Sequence, residues 1–184
     1  MTHDVKKTFG KRYKDATLSN LRFSKDDCSR LVEWIKKPHH EKRILLILGG
    51  PGTGKTYFAA AMVDYLQNQK FNFRYFTDSD FIKNLKMVMQ EGHDTKYEIE
   101  RLSDSADIFI LDDVGSIRLT EWEIEQIHCL IDTRYKNQLP LVLISNFTHE
   151  QFKDKFEPRL VSRLFASENT VLIIHGDDLR QQGL

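Results

Sequence analysis

The chain has 184 residues, of which 40% are hydrophobic and 29% are charged, and these proportions are typical of one soluble globular domain. Lysine plus arginine and aspartate plus glutamate number 27 each, which excludes a basic field over the whole surface that would drive non-specific nucleic-acid binding. The sequence has no N-terminal apolar segment and no run approaching the length of a membrane span, so we expect a cytoplasmic protein without membrane contact.

Strand-like and helix-like segments alternate along the chain. The predicted strands are residues 44–48, 73–76, 108–111, 141–145 and 170–174. Three predicted helices run from Lys55 to about Gln67, from a cap at Asp78 or Ser79 to about Gln90, and from a cap at Thr120 to about Lys136. Two short helices are predicted to begin near Thr148 and near Glu157. Five strands separated by helices predict a parallel α/β sheet that is covered on both faces.

A phosphate-binding motif lies between the first predicted strand and the helix that follows it. GGPGTGKT, at residues 49–56, fits the P-loop pattern G-x-x-x-x-G-K-[ST]. Its glycines let backbone N–H groups turn inward around an anion, and the N-terminus of the next helix adds partial positive charge. We expect Lys55 to reach the β- and γ-phosphates of ATP and Thr56 to supply a hydroxyl to Mg²⁺. The predicted nucleotide-binding residues are Gly49, Gly50, Pro51, Gly52, Thr53, Gly54, Lys55, Thr56 and Tyr57.

Polar side chains also follow the third and fourth predicted strands. IFILDD, at residues 108–113, ends in Asp112, the predicted metal-side acid, and Asp113, which we expect to orient and deprotonate the attacking water. Asp113 stands where hydrolytic P-loop proteins usually carry a glutamate, and its shorter side chain predicts slow hydrolysis; alternatively it caps a turn. Asn146, at the end of LVLISN, either points its amide toward the γ-phosphate and the attacking water or is a turn asparagine.

The order of these motifs resembles that of an AAA+ ATPase. The stretch DDVGSIRLTEWEIEQIHCLIDTRYKNQLPLVLISNF, at residues 112–147, resembles the DnaC/IstB group, which comprises bacterial replicative helicase loaders and transposition helper ATPases. Three features carry this resemblance: T-E-W after the acidic pair, D-x-R-Y at residues 132–135, and the S-N ending. RYKDATLSNLRF, at 12–23, resembles the segment that leads into the nucleotide site of the same loaders.

The resemblance implies a P-loop NTPase fold with an AAA+ core. Its five-stranded parallel sheet would have the strand order 5-1-4-3-2, with helices on both faces. In a departure from many AAA+ proteins, we expect no C-terminal helical lid domain in this sequence. The resemblance also implies binding of ATP or ADP with Mg²⁺, and hydrolysis that depends on an oligomer or on DNA. The implied partners are a replicative DNA helicase, single-stranded DNA and further copies of the chain assembled head to tail.

PRLVSRL, at residues 158–164, matches the segment called box VII in this group. On that match Arg163 is a finger that enters the ATP site of a neighbouring subunit, and Arg159 is a second interface arginine. A guanidinium can neutralise charge on the transferring phosphoryl group. Arg134, in the long predicted helix, either approaches a neighbour's phosphates or pairs within its helix with Asp132 or another nearby acid. The simpler alternative for the box VII pair is two surface arginines without such a role.

Two regions are expected, a basic arm with a lead-in segment at residues 1–20 and the ATPase core at 21–184. The arm KKTFGKRYK, at 6–14, either contacts helicase or DNA or is a flexible solvated tail. Full loaders carry an additional N-terminal domain that grips the helicase, so the short stretch before the first strand puts independent helicase loading in doubt.

Initiator-type AAA+ proteins carry an extra helix that faces DNA between the second and third strands, here residues 80–102. The candidate DNA contacts are Lys83, Lys86, Lys96, Arg101 and the aromatic Tyr97. The apolar residues at helical spacing, which we expect in the core, are Phe81, Ile82, Leu85 and Met89.

Neither the cysteines nor the histidine pair indicates a metal site. Cys28 and Cys129 have no metal-ligand or redox spacing, and we expect buried thiols in a reducing compartment. His39 and His40 lack a third ligand and are expected in a solvated loop.

Several other P-loop classes compete with the helicase-loader interpretation. A small-molecule kinase would use the same loop but would require neither Asn146 nor box VII. A GTPase is disfavoured because N-K-x-D is absent, and an ABC-type ATPase because no LSGGQ-like signature is present. A transposition helper acting on duplex DNA and an ATP-gated adaptor with little turnover remain as alternatives.

Overall fold

The computed structural model of the protein describes residues 8–36, 43–115 and 118–175. Two short 3₁₀ turns, Lys11–Tyr13 and Leu18–Asn20, precede the first long helix. The strands are β1 (Ile44–Gly49), β2 (Phe73–Thr77), β3 (Ile108–Val114), β4 (Leu141–Ser145) and β5 (Thr170–Ile174). The helices are α1 (Lys25–Lys36), α2 (Lys55–Asn68), α3 (Asp78–Gln90), α4 (Thr95–Asp104), α5 (Glu121–Lys136), α6 (His149–Lys155) and α7 (Pro158–Leu164).

The five strands form one parallel sheet in the order β2-β3-β4-β1-β5. This order is the predicted 5-1-4-3-2, so the predicted α/β fold is confirmed. Alternate residues of the central strands enter two separate cores. Leu45 and Ile47 of β1 pack with α1 and α2 on one face, whereas Leu46 and Leu48 pack with α3 to α7 on the other. Strands that are buried on both faces therefore explain the continuous apolar runs in the sequence.

The helix boundaries agree with the sequence except at three places. Thr77, rather than Asp78 or Ser79, caps α3, because its hydroxyl accepts the main-chain N–H of Asp80 at 3.1 Å. Helix α1 was not predicted, and α4 was expected only as an extra helix somewhere within residues 80–102, without its own bounds. The predicted cap of α5 is confirmed, since Thr120 and Glu123 form a reciprocal capping box.

Arg134, on α5, is buried inside the protein and does not lie on an exposed surface that another subunit could contact. Its side chain is fully buried, and it donates hydrogen bonds to the main-chain carbonyls of Ser103, Ala106, Asp107 and Pro140. These carbonyls belong to the end of α4 and to the segments that enter β3 and β4. The expectation that Arg134 approaches a neighbour's phosphates is therefore wrong, and so is its pairing with Asp132.

The N-terminal segment packs on α2 from residue 8 onward. The ring of Phe9 lies 4.6 Å from the ring of Tyr75 between centroids, and Ala16 is buried against Ala60 and Ala61. The expectation of a solvated tail is therefore wrong for Phe9 and Tyr13, whose rings pack on other rings, while Lys11, Arg12 and Lys14 are exposed. The packing is continuous across the expected boundary at residue 20, because hydrophobic contacts connect both sides of it with α2.

Smaller predictions were also corrected. Met89 is 50% exposed, because it lies on the outer face at the end of α3, while Phe81, Ile82 and Leu85 are buried as predicted. Cys28 and Cys129 are free but only half-buried. The His39–His40 pair, the first part of the arm and residues 176–184, where a lid would follow, lie outside the described residues. Within the described ranges, no helix is long and apolar enough to cross a bilayer.

Candidate functional site

The glycine-rich loop connects β1 to α2 at the carboxyl edge of the sheet. Gly52 and Gly54 have φ angles of 79° and 96°, a left-handed conformation that L side chains rarely adopt. Gly49 is needed for a different reason, since a Cβ at this position would lie 2.5 Å from the main-chain oxygen of Ile174 on β5. The loop ends at Gly54, the N-cap of α2, and a glycine-rich turn at a helix N-terminus is the arrangement that an anion site requires.

Lys55 begins α2 and folds back over the loop. Its ammonium donates hydrogen bonds to the main-chain oxygens of Gly49 and Gly50, both at 2.6 Å, and to the hydroxyl of Thr53 at 3.2 Å. The side chain of Lys55 is buried. A cation held in this position is close to where the loop would hold phosphate oxygens, which agrees with its predicted role.

Asp112, near the end of β3, is buried and held at both carboxylate oxygens. Oδ1 accepts the main-chain N–H of Asp113 at 2.7 Å, and Oδ2 accepts the hydroxyl of Tyr75 on β2 at 3.0 Å. Burial raises the pKa of the Asp112 carboxyl to about 6, while these hydrogen bonds and the charge of Lys55 act in the opposite direction. Burial and the neighbouring Asp112 also raise the pKa of Tyr75, so its hydroxyl remains a donor.

Asp113 occupies a bulge in the pairing of β3 with β4. The register shifts between Leu111 and Val114, and Asp113 has a φ angle of 61°. This conformation turns its side chain toward β4, where the side-chain amide of Asn146 donates to Oδ1 at 2.5 Å. The two residues predicted to face the attacking water are therefore in direct contact with each other.

A pocket of about 700 Å³ lies between the P-loop, the ends of β3 and β4 and the N-terminal segment. Its lining comprises Arg12, Tyr13, Asn20, Leu21, Arg22, Phe23, Pro51, Gly52, Gly54, Lys55, Thr56, Tyr57, Asp113 and Asn146. Tyr57 fixes the N-terminal segment over the loop, because its hydroxyl donates to the main-chain oxygen of Asp15 at 3.2 Å. The pocket therefore has one phosphate-binding wall and one wall of mixed aromatic and basic residues.

The donors present fit a magnesium-bound nucleotide. The hydroxyl of Thr56 and the carboxylate of Asp112 are hard oxygen ligands, and Mg²⁺ is usually held by one or two such groups together with substrate phosphates and waters. In the part of the chain that the structure describes, no group of three or more His, Cys, Asp or Glu could hold a metal by itself. The site therefore suits a metal that arrives with the phosphates.

The two box VII arginines differ in their surroundings. Arg163 donates to the carboxylate of Asp132 on α5, and its guanidinium carbon lies 5.3 Å from the ring centroid of Tyr135. Arg159, one helical turn earlier, is exposed. Neither residue lines the pocket of its own chain, so an action on nucleotide would have to be on another subunit.

The helical pair α3 and α4 carries the candidate DNA contacts, and two of them are engaged within the chain. Lys86 pairs with Glu123, and Arg101 with Glu98, both at 2.7 Å. The remaining candidates, Lys83, Lys96 and Tyr97, are exposed, and Tyr97 is 67% accessible.

Two features of the site were not predicted from the sequence. Tyr75 donates a hydrogen bond to the metal-side acid, Asp112. The sequence could have indicated it only as a tyrosine on the strand next to the acidic strand. Asp132 binds Arg163 rather than Arg134, and only the tertiary arrangement of α5 and α7 reveals this pairing.

Comparisons with known proteins agree with the geometry. A family model described as IstB-like ATP binding protein matches residues 14–182. The replicative helicase loader DnaC of Buchnera aphidicola subsp. Schizaphis graminum is 23% identical over 175 residues, covering 92% of this chain and 71% of that protein. An uncharacterised protein, YqaM, of Bacillus subtilis is 28% identical over 143 residues, covering 74% of this chain, which spans only 44% of YqaM. The predicted resemblance to the DnaC/IstB group is thus confirmed.

Solved structures share the fold. A crystal structure of the DnaC helicase loader superposes with a TM-score of 0.74 at 26% identity, covering 90% of this chain and 99% of that one. The replication initiator DnaA bound to AMPPCP and single-stranded DNA gives 0.75 at 22% identity, covering 88% of this chain and 50% of that one. The match to DnaA extends to the fold alone.

Proposed function

Because the chain belongs to the family of IstB-like ATP binding proteins, we propose that it binds MgATP and hydrolyses it slowly when assembled. We propose further that it acts in the initiation of DNA replication as a helicase loader or a loader-like factor. The observation that carries the proposal is the arrangement of Lys55 and Thr56 opposite Asp113 and Asn146 around one pocket. The relatives named as helicase loaders support the biological role.

The residues of this chain divide the chemistry among them. Lys55 and the N-terminus of α2 bind the phosphates, while Thr56 and Asp112 would hold Mg²⁺, which neutralises charge on the β- and γ-phosphates when bound. Asp113 accepts a proton from the attacking water, and Asn146 orients that water or the γ-phosphate. Asp113 reaches less far than a glutamate and is already bonded to Asn146, so slow turnover is expected.

The proposed assembly is head to tail, with Arg163 of one subunit acting on the nucleotide of the next. Its absence from the lining of its own pocket supports an action in trans, and Arg159 would contact the same interface. Single-stranded DNA is a proposed ligand through Lys83, Lys96 and Tyr97, since an exposed aromatic beside cations suits stacking on bases.

One structural observation favours a second candidate, an ATP-gated adaptor with little turnover. The hydrogen bond between Asn146 and Asp113 links the catalytic carboxylate to β4, so nucleotide could change this contact without rapid hydrolysis. A transposition helper acting on duplex DNA is the other alternative, because the matching family is named for IstB.

Nucleotide binding and turnover, measured over a range of protein concentrations, test the enzymatic part. Lys55→Ala should lose about 10- to 100-fold in affinity for ATP, because a charged donor to phosphate is removed. Lys25→Ala, an exposed lysine at the start of α1, is the matched control and should bind as the wild type does. Turnover per subunit should rise with concentration in the wild type, whereas turnover that is absent at every concentration would favour the adaptor.

Mixed subunits test the arginine in trans. Arg163→Ala and Lys55→Ala should each be inactive alone and partly active together, because some interfaces then combine an intact ATP site with an intact finger. Full activity of Arg163→Ala alone would refute the finger. Capture of the replicative helicase with and without ATP tests the partner, and stimulation of turnover by duplex rather than single-stranded DNA would favour the transposition helper.

A further inference from the structure

Asp132 holds Arg163 in a defined position on the surface of α5. One terminal nitrogen of the guanidinium donates to Oδ1 of Asp132, and the Tyr135 ring lies beneath the guanidinium carbon at 5.3 Å. The main-chain oxygen of Arg163 also accepts a hydrogen bond from the side chain of Asn169 at 2.7 Å. Both the backbone and the side chain of this arginine are therefore fixed by neighbouring elements.

The exposures of the side chains show how strongly the pair is held. The Arg163 side chain retains 18% of its accessibility and the Asp132 side chain 32%. A free arginine side chain has a large rotamer entropy. The contacts of Arg163 with Asp132 and Tyr135, both on α5, reduce this entropy before any ligand binds. Arg159, on α7 like Arg163, is exposed, and it has no ion pair or hydrogen bond with any described residue outside α7. The two arginines thus differ in preorganisation.

The contact leaves donors available for a phosphate. A guanidinium has five N–H groups, and the ion pair uses one terminal nitrogen. The ammonium of Lys136, 67% exposed, lies 4.0 Å from Oδ2 of the same carboxylate. Asp132 therefore has a second cationic neighbour, and the Arg163 guanidinium keeps N–H groups that this carboxylate does not use.

We propose that Asp132 is a positioning residue for the trans-acting arginine, which it orients toward the ATP site of the next subunit. This inference rests on the proposed function of Arg163. Asp132 touches neither nucleotide nor metal in this role. Its effect is confined to the subunit that supplies the finger and leaves the ATP site of that subunit intact.

Asp132→Asn is the test variant, because it preserves the size of the side chain and removes the charge. We expect turnover at high protein concentration to fall about 10- to 100-fold, as for the loss of one charged hydrogen bond that orients a catalytic group. Affinity for ATP should be unchanged, and Asp132→Glu should recover part of the turnover. Asp154→Asn, an exposed carboxylate on α6, is the matched control and should behave as the wild type.

Mixing experiments assign the defect to one side of the interface. Asp132→Asn mixed with Lys55→Ala should regain activity, because the first supplies the ATP site and the second the finger. Asp132→Asn mixed with Arg163→Ala should remain inactive, because both lack a competent finger. Activity in this second mixture would overturn the proposal, and so would turnover of Asp132→Asn above the wild-type level at low concentration, which would indicate an inhibitory latch.

The outcome for Arg163→Ala alone separates this inference from the proposed function. Normal turnover of Arg163→Ala would refute the finger and with it any role of Asp132 toward it. Loss of turnover in Arg163→Ala together with normal turnover in Asp132→Asn would overturn only the positioning role. Should Asp132→Asn be too unstable to assay, Asp132→Ala replaces it, because alanine removes the carboxylate and suits a helix. No activity in its mixture with Arg163→Ala would support the inference, and full activity there would overturn it.

Discussion

Replacing Arg134 by methionine should destabilise the fold without affecting the interface. The variant keeps a long apolar side chain and removes the guanidinium, whose two terminal nitrogens donate to four carbonyls. The carbonyls of Ser103 and Pro140 also accept main-chain N–H groups, at 3.4 and 3.1 Å, and so retain a partner. The loss therefore falls mainly on the carbonyls of Ala106 and Asp107.

At about 1–3 kcal/mol for the buried carbonyl of Ala106 and less for the partly buried carbonyl of Asp107, the expected decrease in the free energy of unfolding is about 2–4 kcal/mol. For a domain of this size, a central value of about 3 kcal/mol corresponds to a fall in melting temperature of about 6–12 °C. Burial lowers the pKa of the Arg134 guanidinium to about 10, so the residue is still charged at neutral pH and the estimate for a charged donor applies.

Urea denaturation, with an unchanged dependence on urea concentration, measures this decrease. Lys136→Met is the matched control, because Lys136 lies on the same helix with a 67% exposed side chain, and it should change stability by less than about 1 kcal/mol. Below its melting temperature, Arg134→Met should bind ATP normally. Its Arg163 should still support turnover at the ATP site of a neighbouring subunit that has Lys55. An unchanged urea midpoint combined with a defect in finger donation would refute the core role assigned to Arg134.

Two further predictions concern single contacts. Tyr75→Phe removes the hydroxyl that donates to Asp112 but keeps the ring. We expect the increase in ATP affinity that Mg²⁺ causes to become about 10-fold smaller, while the affinity without Mg²⁺ is unchanged. An equal effect in both conditions would contradict this. Lys86 and the cap of α5 lower the pKa of Glu123 below its usual value of 4.5, so its contribution to stability is present above that pH and is lost as the pH falls below it. Glu123→Gln should therefore reduce the difference in melting temperature between pH 7 and acidic conditions, and an unchanged difference would refute the role of this pair.

The parts of the site that the sequence predicts are those built from local patterns. The P-loop, the acids at the end of β3 and Asn146 each follow a buried strand directly, and parallel strands bring their carboxyl ends to one edge of the sheet. The strand order followed from the resemblance to AAA+ proteins, because the spacing of the segments alone does not determine it. The same locality explains the success at Thr120, whose capping box involves residues three positions apart.

The predictions that failed depend on contacts between distant segments. The sequence around Arg134 is typical of an exposed cation on a helix. Only the approach of α4, β3 and β4 in the folded chain gives its guanidinium four carbonyl partners. Met89 has the spacing of a core residue, but it lies in the last turn of α3 and is 50% exposed. The pairing of Asp132 with Arg163 spans 31 residues of sequence, and no helical period indicates it.

The hydrogen bonds of Lys55 also determine how the loop exchanges ligands. Because the ammonium already donates to the oxygens of Gly49 and Gly50, an arriving phosphate replaces these partners rather than adding a new one. Part of the attraction between lysine and phosphate is spent on breaking contacts within the loop. These contacts can re-form when the phosphate leaves, so they reduce the net free energy of phosphate binding. The ammonium of Lys55 therefore has hydrogen-bond acceptors both with and without a ligand in the loop.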